Sequence, residues 1–108
     1  MNILFVCSKN KWRSLTAETI FKNNSKHEVK SAGTEAGARI KVTAGLLKWA
    51  ELVFVMEKSH KKRITQKFGD IILEKKIIIL DIPDDYKYMD PELIEILKSS
   101  VSHYISGQ

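Results

Sequence analysis

Three short runs of this chain are apolar at nearly every position, and they constrain its fold more than any other feature. They are Asn2–Val6, Leu52–Met56 and Ile77–Leu80. A strand with one face in water alternates apolar and polar residues, so a continuous apolar run indicates a strand covered on both faces. Strands of this kind are typical of parallel sheets that have helices on either side.

The segments between these runs supply a further strand and four helical patterns. The strand is predicted over Glu28–Ala32, and Gly33 and Gly37 then mark a loop. The first predicted helix follows the first strand and has Leu15, Ala17, Ile20 and Phe21 in its apolar pattern. The second covers Thr43–Trp49, and the third covers Lys58–Phe68 and is closed by Gly69. The fourth begins at Asp90 as N-cap, with Pro91 in the first helical position and with Leu93, Leu97, Val101 and Tyr104 on one face. The predicted fold class is therefore α/β, with a four-stranded parallel sheet and helices on both faces.

Length and composition limit the range of functions. With 108 residues, we expect one domain over residues 1–108. No apolar run approaches the roughly 20 residues of a membrane span, and the first residues lack the features of a secretory signal, so we expect a cytoplasmic protein without a membrane partner. The net charge of +5 favours anionic partners. The lysines lack interleaved aromatics, which makes nucleic acid an improbable partner.

The loop after the first strand has the composition of an anion site. Ligands of open parallel sheets bind beyond the carboxyl ends of the strands, and this loop leaves the sheet at that edge and enters a helix, whose N-terminus attracts anions. A phosphate there needs no metal, and no cofactor is expected. The candidate phosphate-binding residues are Ser8, Lys9, Asn10, Lys11, Trp12, Arg13 and Ser14.

The single cysteine, Cys7, stands where this loop begins. Helix N-termini and nearby cations stabilise thiolates, which are the nucleophilic form of cysteine. Arg13 carries a planar fork of donors that matches two phosphate oxygens, and Ser14 can donate its hydroxyl to the thiolate. Taken singly, these residues fit a plainer interpretation: a buried small residue, a surface cation and a helix cap. Their joint spacing favours a nucleophile with a phosphate clamp.

The spacing of cysteine, five residues, arginine and serine after an N-terminal strand resembles the low-molecular-weight protein tyrosine phosphatases. The likeness continues through three further segments: Ser31 to Thr34, Ala50 to Met56 with Ser59-His60, and Ile82 to Tyr86. This chain is shorter than the family pattern, mainly around the third strand. The resemblance implies an enzyme with Cys7 as nucleophile, Arg13 as phosphate clamp and Ser14 as thiolate donor, and with Asn10 and Ser31 as polar supports of the loop.

The chain departs from the family pattern at three positions near this loop. Lys9 stands where the family usually has glycine, Trp12 replaces a second cysteine, and Leu15 replaces a proline. None of these changes removes a reacting group. Without the second cysteine, a protective disulfide beside Cys7 cannot form.

A phosphatase of this kind also needs an acid that protonates the leaving oxygen. The candidates are Asp81, Asp84, Asp85 and Asp90. Asp90 is better explained as a helix cap, and the run Ile82-Pro83-Asp84 matches the acid loop of the family. We predict Asp84 as the acid and Asp85 as the second candidate. Tyr86 could form a wall of the substrate pocket. No histidine has partners at metal-ligand spacing, so no metal is expected.

The function predicted from these residues is hydrolysis of a phosphate monoester through a phosphocysteine on Cys7. The implied substrate class is phosphotyrosine in proteins, with a small phosphomonoester also open. Two alternatives remain at this point. One is a phosphocysteine phosphocarrier, although such carriers lack an arginine at the position of Arg13. The other is a non-catalytic module that binds phosphorylated partners. A thioredoxin-coupled arsenate reductase would need further cysteines, which this chain lacks.

Overall fold

A computed structural model describes residues 1–23 and 26–105. Within them, strands and helices alternate along the chain in the order β1 (Asn2–Cys7), α1 (Arg13–Phe21), β2 (Glu28–Gly33), α2 (Ala44–Trp49), β3 (Leu52–Val55), α3 (Lys58–Ile72), β4 (Lys76–Ile79) and α4 (Pro91–Ile105). The strands form one sheet in the order β2-β1-β3-β4, and every neighbouring pair is parallel. The predicted fold class is therefore confirmed.

Alternate residues of the central strands pack into two separate cores. On β1, Ile3 and Phe5 face the core that contains Leu93, Leu97 and Val101 of α4. Leu4 and Val6 face the other core, which contains Leu47 of α2 and Ile64 of α3. Because both faces of β1 and β3 are buried, these strands are apolar throughout, which is the pattern that the sequence showed.

The last helix begins with the N-cap residue and the proline that the sequence predicted. Asp90 caps α4, since its carboxylate accepts a hydrogen bond from the amide of Glu92 at 2.9 Å and its carbonyl accepts one from Ile94 at 3.0 Å. Pro91, which has no amide proton to satisfy, takes the first helical position. The segment from Asp81 to Tyr86 is irregular, as predicted.

The predicted end of α3 is wrong. The helix does not close at Gly69 but continues to Ile72, across a kink at Phe68, whose φ of −126° and ψ of 27° are not helical. A glycine next to a kink absorbs the change of direction without ending the helix. The helix resumes because Ile72 is buried in the core that also holds Ile64.

Gly33 lies where the end of β2 passes very close to the loop after β1. A Cβ atom added there would stand 2.6 Å from the carbonyl oxygen of Ser8 and 2.8 Å from the amide nitrogen of Asn10. Side-chain carbons do not approach backbone atoms this closely, so any larger residue would displace the loop.

We therefore expect Gly33→Ala to lower the free energy of unfolding by about 1–3 kcal/mol, because the added methyl group overpacks a backbone contact. Gly37→Ala is the matched control, since a Cβ at Gly37 meets nothing within 4 Å, and we expect a change within about 0.5 kcal/mol. Urea unfolding of the two variants measures both effects. Equal losses would show that the contact at Gly33 does not constrain the loop.

Candidate active site

The loop that follows β1, residues 8–12, is held by its carbonyl groups. The carbonyls of Cys7 and Ser8 accept hydrogen bonds from the amides of Thr34 and Glu35, both at 2.9 Å, and the carbonyl of Lys9 accepts one from the amide of Arg39 at 3.0 Å. Arg39 also donates its Nε to the carbonyl of Asn10 at 3.3 Å. The segment after β2 therefore holds the outer side of the loop.

The amide groups of the same loop are left over for a ligand. Within the described residues, the structure shows no acceptor for the N–H groups of residues 8–12. Unpaired amides that precede a helix are the usual donors of a phosphate-binding loop. The carbonyls bind the protein and the amides do not, so this loop keeps donors that suit an anion.

Asn10 gives the loop its turn. Its φ of 55° lies in the left-handed region, which asparagine tolerates better than most residues. Lys9, which occupies the position of a glycine in the family pattern, does not have a positive φ. The lysine is therefore compatible with the backbone of this loop.

Cys7 lies at the base of the loop beside two polar side chains. Its Sγ atom is 3.0 Å from the Oγ of Ser14, and Asn10 donates its Nδ2 to the same Oγ at 2.8 Å. All three residues are buried. Because Ser14 accepts from Asn10, its own hydroxyl proton is free to point at the sulfur, where it can stabilise a thiolate.

Arg13 is the first residue of α1, and only 2% of it is exposed. Its Nη1 donates to a carboxylate oxygen of Glu57, and to the carbonyl of Ile82 at 2.8 Å. Its Nε lies 3.7 Å from a carboxylate oxygen of Asp84, which is too long for a hydrogen bond. Among the described residues, Nη2 has no acceptor. One side of the guanidinium is therefore fixed, and its other side can bind two phosphate oxygens.

Glu57 was not singled out by the sequence, although it has two structural roles. Besides holding Arg13, it is the N-cap of α3, and its side chain accepts from the amide of His60 in a capping box. His60 completes the box by accepting the amide of Glu57 on Nδ1 at 3.0 Å. The only sequence signal for this capping box was the position of Glu57, three residues before His60 at the start of the predicted helix.

His60 also contacts the loop. Since its Nδ1 is an acceptor, the neutral ring carries its proton on Nε2, which lies 2.9 Å from the Oγ of Ser8. The pKa of His60 is lowered from 6.5 to about 4, mainly by burial and then by the charges of Arg13 and Arg63, against the opposing carboxylates of Glu57 and Asp84. The ring is neutral at pH 7 and supports Ser8 as a hydrogen-bond donor.

These residues surround a pocket of about 230 Å³, which we call the Cys7 pocket. The side chains that line it are Cys7, Ser8, Lys9, Lys11, Trp12, Arg13, Glu35 and Asp84. Trp12 is 46% exposed and lies at the pocket, outside the core. Glu35 was not predicted, and no motif in the sequence pointed to it. Within the described residues, no cluster of His, Cys, Asp and Glu could hold a metal ion.

Four of the predicted site residues do not line this pocket: Asn10 and Ser14, which are buried beside Cys7, and also Ser31 and Tyr86. The hydroxyl of Ser31 donates to Glu18 of α1, so it does not contact the loop directly. Tyr86 packs against the core that contains Phe5 and does not line the Cys7 pocket. Their predicted roles as a support of the loop and a wall of the pocket remain predictions.

Residues 2–46 match the family model of the low molecular weight phosphotyrosine protein phosphatases. The resemblance inferred from the sequence is confirmed. The matched segment contains Cys7, Arg13, Ser14 and the part of the chain that holds the loop's carbonyls. No curated protein matches the chain by sequence.

Solved structures of this family share the fold over nearly the whole chain. The YwlE arginine phosphatase, solved as a cysteine-to-serine mutant with a phosphorylated active-site serine, is 22% identical over 100% of this chain and 98% of its own, with a TM-score of 0.76. The tyrosine phosphatase Wzb from Escherichia coli K30, in complex with phosphate, is 23% identical over 95% and 94%, with a TM-score of 0.76. A low molecular weight protein tyrosine phosphatase from Streptococcus pyogenes is 15% identical over 98% and 94%, with a TM-score of 0.78.

The pKa of His60 predicts a pH dependence of stability. In the unfolded chain histidine binds a proton near pH 6.5, whereas in the folded protein His60 stays neutral until about pH 4. The unfolded state therefore gains the proton first, and the free energy of unfolding decreases as the pH falls from 6.5 to 4.

The variant His60→Gln keeps an acceptor for the capping box but has no group that titrates in this range. We expect its free energy of unfolding to fall by about 1–2 kcal/mol less than that of the wild type between pH 6.5 and pH 4, after allowance for solvent screening. Urea unfolding of both proteins at pH 7, 5.5 and 4 measures the difference. If the two curves run parallel across this range, His60 is not buried as a neutral ring.

Proposed function

We propose that the protein is a tyrosine phosphatase that hydrolyses phosphate monoesters through a phosphocysteine on Cys7. The observation that carries this proposal is the orientation of Arg13. Its Nη1 is held by Glu57 and Ile82, its Nε and Nη2 have no hydrogen-bond acceptor among the described residues, and Arg13 lines the same pocket as Cys7. A phosphoryl group bound there would meet the clamp, the loop amides and the nucleophile together.

In the first step the thiolate of Cys7 attacks phosphorus. A bond forms between Sγ and phosphorus, and the bond between phosphorus and the leaving oxygen breaks. The negative charge on the three equatorial oxygens is stabilised by Arg13 and by the unpaired amides of residues 8–12, which are in position before the reaction. Asp84 donates its carboxyl proton to the leaving oxygen.

In the second step water regenerates the thiol. The carboxylate of Asp84 accepts a proton from a water molecule, whose oxygen attacks phosphorus as the bond to Sγ breaks. The electron pair returns to the sulfur as a thiolate, which the hydroxyl of Ser14 stabilises from 3.0 Å. Inorganic phosphate then leaves, and no cofactor or metal takes part.

The geometry favours Asp84 over the other candidate acids. Its side chain is 65% exposed, lines the Cys7 pocket and approaches Arg13, so it can reach an oxygen bound above the sulfur. Asp85 does not line this pocket, and Asp90 is used as a helix cap. Asp85 remains the second candidate because it follows Asp84 directly.

The substrate that we propose is a phosphotyrosine residue in a protein, with a small phosphomonoester as the minimal form. Family relatives of the same fold include both a tyrosine phosphatase and an arginine phosphatase. The proposal includes one domain over residues 1–108, a cytoplasmic location and neither nucleic acid nor membrane as partner. In the described part of the chain, none of the helices is long and apolar enough to cross a membrane.

The test of the proposal is hydrolysis of p-nitrophenyl phosphate without added metal. We expect turnover by the wild type, a loss of at least about 10³-fold in Cys7→Ser and Arg13→Ala, and a smaller loss of about 10²-fold in Asp84→Asn, because general acid catalysis contributes less than the nucleophile and its clamp. Asp85→Asn is the matched control and should stay near the wild type.

Three outcomes would contradict the proposal. An inert wild type that accepts phosphate on Cys7 from a donor would indicate a phosphocarrier, and an inert wild type that binds but never accepts phosphate would indicate a recognition module. Faster turnover of a phosphoarginine peptide than of a phosphotyrosine peptide would change the substrate class.

The contact between Glu57 and Arg13 generates a kinetic prediction. Glu57→Gln keeps an oxygen that can accept from Nη1, whereas Glu57→Ala removes it and leaves Nη1 held by the carbonyl of Ile82 alone. We expect the alanine variant to lose about tenfold in kcat, because the clamp is misplaced, and the glutamine variant to lose about threefold or less. Thermal unfolding separates this effect from the lost helix cap. If both variants match the wild type, Glu57 only caps α3.

A further inference from the structure

A second cavity, of about 350 Å³, lies between α3 and the segment that connects β2 to α2. Three cationic side chains line it: Lys41, Arg63 and Lys67. Arg63 and Lys67 are four residues apart on α3 and so project from the same helical face, and Lys41 comes from the opposite wall. We call this space the cationic cavity.

The charges of the cationic cavity are not balanced by the protein. No carboxylate lines it, and none of its three cations forms an ion pair with the described residues. The neighbouring Lys41 lowers the pKa of Lys67, and desolvation and the charge of Arg63 lower it further. An ordinary solvated basic surface spreads its charges apart, whereas here like charges converge on one space.

Thr34, one of the residues that line the cavity, has a hydroxyl group without a partner. Its Oγ1 is buried and makes no hydrogen bond within the described part of the chain. Buried hydroxyl groups are nearly always hydrogen-bonded, so this one is available to a ligand that accepts hydrogen bonds. Val42, Ile64 and Phe68 supply the apolar part of the lining.

We propose that the cationic cavity is a second anion site that binds a phosphoryl group through Lys41, Arg63, Lys67 and the hydroxyl of Thr34. A phosphoryl dianion matches this set better than a carboxylate does, because it presents more acceptor oxygens and more charge to three cations, one of them a planar guanidinium. The site is independent of the proposed hydrolysis, since it shares no side chain with the Cys7 pocket.

One segment of backbone separates the two sites. The amide of Thr34 donates to the carbonyl of Cys7, and Glu35, the next residue, lines the Cys7 pocket. A phosphoryl group in the cationic cavity can therefore belong to a substrate that carries a second phosphate beside the one being hydrolysed. It can also be free inorganic phosphate.

The first experiment measures binding without turnover. Inorganic phosphate is titrated into Cys7→Ser protein, and amide chemical shifts are followed by NMR. We expect two sets of shifts, one in residues 8–14 and one at Val42, Ile64 and Phe68. Lys41→Gln with Lys67→Gln should weaken the second set about tenfold. Lys61→Gln with Lys62→Gln removes the same amount of charge from α3 outside the cavity and should leave the second set unchanged.

Thr34→Val provides a further variant, because it removes the hydroxyl with little change of shape. It should weaken the second set severalfold and leave the first set in place. Shifts confined to residues 8–14, or equal weakening by both lysine pairs, would overturn the proposal, since the cavity would then contribute only general positive charge.

The second experiment distinguishes the two sources of phosphate. The KM of the wild type is compared for peptides that carry one or two phosphoryl groups. If Lys41→Gln with Lys67→Gln raises KM about tenfold only for the doubly phosphorylated peptide, the ligand is a second phosphate of the substrate. If it changes only the effect of added inorganic phosphate, the ligand is the free ion. A protein that never turns over but gives the expected titration would refute the hydrolase and leave this site intact.

Discussion

The burial of the Arg13 guanidinium is the constraint on which the rest of the site depends. A cation that is 2% exposed must have its charge and its donors satisfied, and Arg13 obtains this from Glu57 before α3 and from the carbonyl of Ile82 after β4. Three loops at the same edge of the sheet are thereby joined through one side chain. These contacts fix one side of the guanidinium at the pocket that Arg13 and Cys7 both line.

The parallel order of the strands makes such a junction possible. The carboxyl ends of β1, β3 and β4 meet at one edge, so residues far apart in the chain arrive within hydrogen-bond distance of one another. The segment after β2 completes the arrangement, because its amides bind the carbonyls of the loop after β1. The amides of residues 8–12 are then left without acceptors in the described part of the chain.

Much of this could be predicted from the sequence, and particular residues show why. Ile3, Phe5 and Phe54 are apolar because both faces of the sheet are covered, so the continuous runs gave the right fold class. Local spacing alone brought Cys7, Arg13 and Ser14 together, since they are separated by only a few residues. The cap at Asp90 was also local, with its proline in the next position.

Contacts between distant segments could not be predicted in this way. Glu57 and Arg13 are 44 residues apart in sequence, and no local pattern records that they meet. Glu35 lines the pocket because an irregular loop carries it there. Such a loop has no periodic pattern from which its path could be predicted. Gly69 was wrongly assigned as a helix end because a glycine looks the same in sequence at a terminus and at a kink, and only the burial of Ile72 decides between them.

The central place of β1 has a consequence for how the protein is made. Cys7 lies in the first of the described strands, yet β1 pairs with β3 as well as β2, and Arg13 needs a carbonyl that comes only with Ile82. A growing chain therefore carries Cys7 long before the partners of Arg13 are present. The geometry of this site is completed late, and it depends on assembly of strands from most of the chain.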